Sequence, residues 1–211
     1  EDLTKEEDLV VTLSNAGYVK AQPVDSYSSQ KRGGRGKIAA KVKDEDFIEK
    51  LFVANSHDTI LCFSSLGKVY WLKVYDIPQS GRSAKGKAIV NILSLAQFEK
   101  ITAIEKISSY DENLYVLMAT SNGIIKKTKL SDFSRPRSSG LIAINLKDGD
   151  SLIEACVTNG KKQIMLFSSA GKAIRFNEID VTCVGRSAAG VKGITLGKDH
   201  SVISMITSDQ D

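Results

Sequence analysis

The chain has 211 residues, is 42% hydrophobic and 26% charged, and carries a formal net charge of +4. That length buries a substantial core as one large all-β domain or two smaller ones, and the composition is too apolar for a disordered chain. No apolar run approaches the roughly 18 residues of a membrane span, and no signal-peptide core opens the sequence. Cys62, Cys156 and Cys183 are odd in number, far apart and without CxxC spacing, which points to reduced thiols of a cytosolic protein serving as small core residues.

Along the chain, four segments follow one frame. A short apolar strand runs into a small-residue turn ending in glycine, and a basic strand returns from it. The turns are Ser14-Asn15-Ala16-Gly17, Ser64-Ser65-Leu66-Gly67, Thr120-Ser121-Asn122-Gly123 and Ser168-Ser169-Ala170-Gly171. After a linker comes a second, basic loop, whose glycines align at Gly36, Gly86, Gly140 and Gly190. The separation from first to second glycine is 19, 19, 17 and 19 residues, and successive second glycines lie 50, 54 and 50 apart. This regularity is the mark of a repeat architecture.

Residues 58–63, 113–118 and 163–167 are β-branched or aromatic runs bounded by turn residues, apolar on both faces as strands between stacked sheets should be. Residues 68–71, 124–127 and 172–175 read as the return strands of hairpins, and 100–107 and 201–206 as later strands. Helical periodicity is weak, with single turns at most around Asp44–Phe47 and Ser94–Phe98. Roughly four strands per ~50 residues is the size of a propeller blade. The expectation is one domain over 1–211, with blades near 8–57, 58–107, 113–160 and 161–208.

The modest net charge conceals a sorted distribution. The windows 30–43, 79–92, 134–147 and 185–198 hold 6, 3, 3 and 3 cations and no Asp or Glu. Together they carry +15, while the other 155 residues set 14 cations against all 25 acids and carry −11. A surface charged only for solubility mixes signs, whereas a track for a polyanion excludes one of them.

Several motifs fail on inspection. Gly81-Arg82-Ser83-Ala84-Lys85-Gly86-Lys87 fits GxxxxGK, but Ala88 stands where Ser or Thr should ligate Mg²⁺, and no strand-to-helix pattern surrounds it. A phosphate-contacting turn is the better reading. The sister loop 185–190 has Val191 in place of the lysine. His57 and His200 lack partners at ligand spacing and read as exposed turn residues, so no metal site is expected. No GxSxG elbow occurs. Phe63, Tyr70, Trp71 and Phe167 read as core, while Tyr18, Tyr27 and Tyr75 suit packing or ligand contact. The acids at 6–8 and 44–46 read as solvated surface. No catalytic constellation emerges.

The sharpest stretch is Gln30-Lys31-Arg32-Gly33-Gly34-Arg35-Gly36, followed by Lys37. Three cations and three glycines suit a phosphate clamp, because glycine lets the backbone approach closely and arginine grips phosphate bidentately. The stretch matches the Q(R/K)RGG(R/K)G box of the C-terminal domain of DNA gyrase A, and the surrounding repeat resembles that family along the whole chain. The resemblance implies an all-β, propeller-like β-pinwheel whose four-stranded blades exchange strands. It implies sequence-nonspecific binding of double-stranded DNA and positive wrapping around a basic rim, in support of ATP-dependent negative supercoiling. The partners it implies are the rest of gyrase A, together with gyrase B, in an A2B2 enzyme in the bacterial cytoplasm at the nucleoid. The nucleophilic tyrosine and the site for ATP and Mg²⁺ are expected outside this chain, with no cofactor in it. The family usually has about six blades and an acidic C-terminal tail. Four repeats and no such tail read as a fragment or a short version, with an open end to the array.

On this reading the box residues Gln30, Lys31, Arg32, Gly33, Gly34, Arg35 and Gly36, with Lys37, Lys41 and Lys43, anchor the DNA. Arg82, Lys85 and Lys87, then Arg135 and Arg137, then Arg186 and Lys192, continue the path. Three rivals stand beside it: the C-terminal domain of the topoisomerase IV A protein, which shares the fold with a degenerate or missing box, a propeller that binds protein partners, and a propeller enzyme.

Overall fold

The computed structural model describes residues 4–32, 46–81 and 83–210, with backbone alone at 29–32. In chain order, β1 (Asp8–Ser14) and β2 (Tyr18–Pro23) form a hairpin, α1 (Val24–Arg32) follows, and β3 (Ile48–Asn55) pairs back on β1. The second repeat gives β4 (Thr59–Ser64), β5 (Lys68–Lys73), β6 (Lys87–Ala88) and β7 (Ile101–Ile107). The third gives β8 (Tyr115–Thr120), β9 (Ile124–Lys129), β10 (Leu141–Ile142) and β11 (Leu152–Thr158). The fourth gives β12 (Gln163–Ser168), β13 (Ala173–Asn177), β14 (Val191–Lys192) and β15 (Val202–Ser208).

The sheets do not coincide with the repeats. Their orders are β3-β1-β2-β6, β7-β4-β5-β10, β11-β8-β9-β14 and β15-β12-β13. Each repeat after the first therefore lends its short third strand to the sheet before it. This is the strand exchange of a β-pinwheel, and the all-β expectation holds. Two-residue strands carry no hydrophobic alternation, so the sequence marks them only through the glycine beside each.

All four hairpins close with one chemistry. The N–H of Gly17, Gly67, Gly123 and Gly171 donates to the carbonyl three residues back at 3.0 Å. The hydroxyl of Ser14, Ser64, Thr120 or Ser168 accepts from the N–H just beyond the glycine, at 3.0 to 3.3 Å. Each turn glycine sits at φ between +77° and +88°, where a Cβ is strained. A Ser or Thr at the first position and Gly at the fourth is thus required four times over.

The chain divides into two compact units, Glu1–Ile60 with Leu72–Ser94, and Leu61–Trp71 with Leu95–Asp211. In the first, β1 buries five consecutive residues, with Leu9, Val11 and Leu13 alternating with Val10 and Thr12. In the second, β8 serves two cores through its period of two. Val116 and Met118 pack with Leu61, Phe63, Ala103 and Leu152, while Leu117 and Ala119 pack with Ile164, Leu166 and Val202. That is why β8 is apolar on both faces. Phe63 meets Phe133 edge-on, with ring centroids 6.1 Å apart.

Several expectations need correction. α1 was not legible: VDSYSSQKR carries only two apolar side chains, and no helical period reveals it. Pro23 ends β2, and Asp25 in the first turn suits the helix dipole. Residues 97–98 form a turn, within the single turn expected around Ser94–Phe98, and Phe98 adopts φ 65° while 88% exposed. Phe63 and Tyr70 are core, but Trp71 and Phe167 are half-buried, the former donating from Nε1 to the Phe133 carbonyl at 3.1 Å. Cys62 is buried, Cys156 half-buried and Cys183 exposed, so the third is no core residue. Burial pushes the Cys62 and Cys156 thiols up to about 12. His57 is half-buried with Nε2 2.9 Å from the Thr4 carbonyl, and His200 is exposed.

Two glycines of one loop separate packing from mere turn chemistry. A Cβ on Gly190 would lie 2.2 Å from the Ile125 carbonyl, whereas one on Gly185 meets nothing within 4 Å. Gly190→Ala is expected to lower stability by about 2 kcal/mol or more through forced backbone displacement, and Gly185→Ala to stay within ~0.5 kcal/mol. Urea unfolding of both variants checks this.

Candidate nucleic-acid interface

The basic loops of the second, third and fourth repeats each lie between a hairpin and the strand that is lent backward, so both ends of each are tied down. Within the first unit, the loop 79–87 runs beside β2. The Ala21 N–H donates to the Pro78 carbonyl at 3.3 Å, and the Ser80 N–H to the Ala21 carbonyl at 3.2 Å. β6 then pairs Lys87 with Val19 and Ala88 with Tyr18. A Cβ on Gly86 would fall 2.3 Å from the Val19 carbonyl, so only glycine passes there. Because β2 leads directly into α1, this arrangement sets the second basic loop against the segment that carries the first.

A lysine holds the loop from behind. Lys20 Nζ donates to the Ala84 carbonyl at 3.1 Å and reaches the Gly81 carbonyl at 3.4 Å. Three residues past its own hairpin glycine, Lys126 does the same in the second unit. Its Nζ donates to the carbonyls of Ala143 at 2.7 Å and Arg186 at 2.5 Å, tying the third basic segment to the fourth loop. Lys126 is 1% exposed. Burial, with the Arg186 charge adding to it, pulls its ammonium down to about 8, against a smaller opposing pull from Asp132. At the same register the second hairpin has Tyr70, whose ring lies 2.7 Å from where a Gly140 Cβ would sit.

Sequence reasoning passed over Lys20 and Lys126 because they lie outside the acid-free windows. Superposing the four hairpins on their glycines would have revealed a lysine twice at one register.

The cations named in sequence fall as follows. Gln30, Lys31 and Arg32 form the last turn of α1, described by backbone alone. Gly33, Gly34, Arg35, Gly36, Lys37, Lys41, Lys43 and Arg82 lie outside the described residues. Lys85 and Lys87 are exposed, with Lys85 Nζ 5.6 Å from the centroid of the Tyr18 ring, an aromatic that here packs a cation. Arg135 and Arg137 are exposed just after the 3₁₀ turn Leu130–Phe133, and Lys192 is exposed in β14. Arg186 is half-buried, and its Nη1 donates to the Ile142 carbonyl at 3.0 Å, so part of its guanidinium serves the fold.

The acids in each repeat are spent differently. Glu99, 4% exposed, accepts from the Ser64 hydroxyl at 2.5 Å, the Tyr70 hydroxyl at 2.8 Å and the Ala96 N–H at 2.8 Å. Asp150 accepts from the Ser121 hydroxyl and the N–H groups of Asn122 and Ser151 at 2.8 to 2.9 Å. Asp46, expected as mere solvated surface, accepts from the Ala16 N–H at 2.8 Å; its carboxyl is held below the usual range, first by a bond from the Ser14 side chain. These carboxylates fasten the hairpin ends, and none of them lies within a basic loop.

Comparison with known proteins now decides the family. The model of the DNA gyrase C-terminal domain, a β-propeller, matches residues 8–55, 58–108, 114–158 and 162–209. The chain belongs to the DNA gyrase C-terminal domain family. It is 56% identical over 206 residues to the DNA gyrase A protein of Salmonella typhimurium, covering 98% of this chain and 24% of that protein. It is 57% identical over 202 residues to the Haemophilus influenzae counterpart, covering 96% and 23%. The chain thus spans about a quarter of the curated relatives it matches. Among solved structures it resembles the C-terminal domain of DNA topoisomerase IV at 30% identity and a TM-score of 0.82, over 99% of this chain and 63% of that one. It also resembles a DNA gyrase A C-terminal domain at 26% identity and a TM-score of 0.70, over 95% and 65%. Among the described residues no helix is long and apolar enough to cross a membrane.

The lowered Lys126 gives a signed test. Between pH ~8 and the unfolded lysine value near 10.4, the unfolded chain keeps this proton and the folded one loses it, so stability rises with pH over that window. The difference in unfolding free energy between the wild type and Lys126→Met is expected to shift toward the wild type by up to roughly 1 kcal/mol per pH unit. Urea titrations from pH 7.5 to 10.5 read it, and a flat difference refutes it.

Proposed function

We propose that this chain binds double-stranded DNA through its phosphate backbone, without reading base sequence, and wraps it in a positive sense. The observation that carries the reading is the family match over all four repeats. It is supported by acid-free basic loops held at both ends, with Lys85, Lys87, Arg135, Arg137 and Lys192 exposed on them. The box at 30–36 would anchor the wrap, and Arg82 and Arg186 would extend the path with those cations. No base contact is required: affinity comes from counterion release, and preference from how readily a sequence bends. Bending 20–30 base pairs costs on the order of 1–6 kcal/mol, which the phosphate contacts must offset.

In the intact gyrase, this wrapping would present a neighbouring duplex for strand passage and so support ATP-dependent negative supercoiling. The rest of gyrase A, and gyrase B in an A2B2 assembly, are the partners proposed, in the bacterial cytoplasm at the nucleoid. The chain itself needs no cofactor for this role. ATP, Mg²⁺ and the nucleophilic tyrosine belong to the other parts of the enzyme.

One observation favours a second reading. The likeness to the topoisomerase IV C-terminal domain has a higher TM-score, 0.82, than the likeness to the DNA gyrase A C-terminal domain, 0.70. A domain of that kind would bind DNA with little wrapping.

Sealing a nicked plasmid with ligase in the presence of the chain separates the two. Positive supercoils after deproteinisation support wrapping, and unchanged topology with salt-sensitive binding supports the second reading. Replacing residues 30–36 by alanine is expected to abolish the positive supercoils while leaving residual binding. Equal wrapping by that variant would remove the anchor role.

A further inference from the structure

We propose that the second repeat carries an apolar wedge for double-stranded DNA, in which Phe98 and Leu66 press against a base step while Lys100 meets the adjoining phosphate. The inference rests on the DNA-binding reading above and adds to it a bending element outside the basic loops. All three residues belong to the second compact unit.

The second, third and fourth repeats share one turn, which leads into β7, β11 and β15. The N–H groups of Glu99, Asp150 and His200 donate three residues back, to the carbonyls of Ala96, Lys147 and Gly197 at 3.1 to 3.3 Å. The residue after each, Lys100, Ser151 or Ser201, exchanges hydrogen bonds with Ser65, Ser121 or Ser169 of the hairpin. The residue before each is left-handed in all three repeats, with φ 65° at Phe98, 79° at Gly149 and 61° at Asp199. Glycine and aspartate suit that conformation, whereas a bulky aromatic is strained in it. Phe98 recovers nothing by burial, since it is 88% exposed. Strain kept without burial points to a contact outside the chain.

Two further departures fall on the same spot. Leu66, 51% exposed, stands where the other hairpin turns have Ala16, Asn122 and Ala170. Lys100, also exposed, stands where the third and fourth repeats have serine. The hydrogen bonds between Ser65 and Lys100 join the two turns, and Glu99 clamps both. Its carboxylate accepts from the Ser64 hydroxyl at 2.5 Å and the Ala96 N–H at 2.8 Å. The apolar pair and its cation are therefore presented on a backbone ordered in advance, which lowers the entropy lost on binding.

Charge and size decide the occupant. Residues 77–98 contain no Asp or Glu, and Glu99 is buried, while the counterpart turns keep the exposed Asp148 and Asp199. A turn stripped of exposed acid and given a lysine suits a polyanion. A standard protein interface covers roughly 800 Å² on each partner, far more than two side chains offer. DNA-bending proteins, in contrast, insert lone apolar side chains such as Phe and Leu at base steps, unstacking and kinking the duplex. Pyrimidine–purine steps yield most easily, so such a wedge favours bendable DNA without reading its bases.

The 211-residue chain would be titrated onto a duplex with dyes at both ends and, at several TA steps, a base analogue that brightens on unstacking. The wild type is expected to raise the analogue signal and the energy transfer between the ends. The double variant Phe98→Gly, Leu66→Ala carries residues that other repeats hold at these positions, and urea unfolding is expected to show it at least as stable as the wild type. It should lose the analogue signal, bend the duplex less and bind about three- to tenfold more weakly, with the log–log salt slope unchanged. Lys100→Gln should instead lower that slope by about one. A folded double variant that keeps both signals overturns the wedge and leaves DNA binding standing, as does a wild type that binds without brightening the analogue. Absence of salt-dependent binding by the wild type overturns the functional reading itself. Unchanged DNA signals in the double variant, with supercoiling by the intact gyrase lost, would assign the patch to a protein contact and overturn the wedge.

Discussion

Everything in this molecule depends on the loan of a two-residue strand from one repeat to the sheet before it. β6, β10 and β14 each complete a sheet whose other strands precede them in the chain or flank the same hairpin. The contact is made at glycine, because the backbone of the preceding second strand, or in one case the Tyr70 ring, occupies the space of a Cβ at Gly86, Gly140 and Gly190. A strand so short has little pairing energy of its own. It is held because the glycine lets it sit flush, and because the run beyond it, such as Ala143-Ile144, enters the core. The basic loop is simply the stretch between two fixed points, and its position follows from the fold.

Charge is then distributed according to what each side chain can reach. Carboxylates such as Glu99, Asp150 and Glu178 are consumed by hydroxyls and N–H groups inside the repeats, the last accepting from the Thr158 hydroxyl at 2.5 Å. The loops are left with cations alone. Two further lysines, the half-buried Lys20 and the buried Lys126, are turned to the loop carbonyls from behind. A buried ammonium is costly, and Lys126 shows it by its lowered proton affinity. The cost falls on a contact that fixes where Arg186 and its neighbours stand.

What the sequence reveals tracks the size of the physical signal. The hairpins β4-β5, β8-β9 and β12-β13 were legible because Ser or Thr and Gly recur at fixed positions between apolar runs. The box and the acid-free windows were legible as composition. β6, β10 and β14 were not, since two residues have no period. α1 was hidden because its sequence is polar on all sides, and the box begins on its last turn. The glycines at 86, 140 and 190 were aligned correctly, but their packing against the preceding sheet appears only in three dimensions. Lys20 and Lys126 read as ordinary strand lysines until their loop partners, such as Ala84 and Arg186, are in place.

A surface that must hold bent DNA meets two costs, the bending of the duplex and the ordering of its own groups. Long cationic side chains lose up to about 2 kcal/mol of rotamer freedom each when fixed, so a loop that also had to order its backbone would lose most of what it gains. Here the backbone is ordered in advance: hydrogen bonds from Ala21, Ser80 and Lys20 fix one loop, and Lys126 with β14 fixes another. What remains free is the outer reach of the cations, which suits phosphates that shift with sequence and salt.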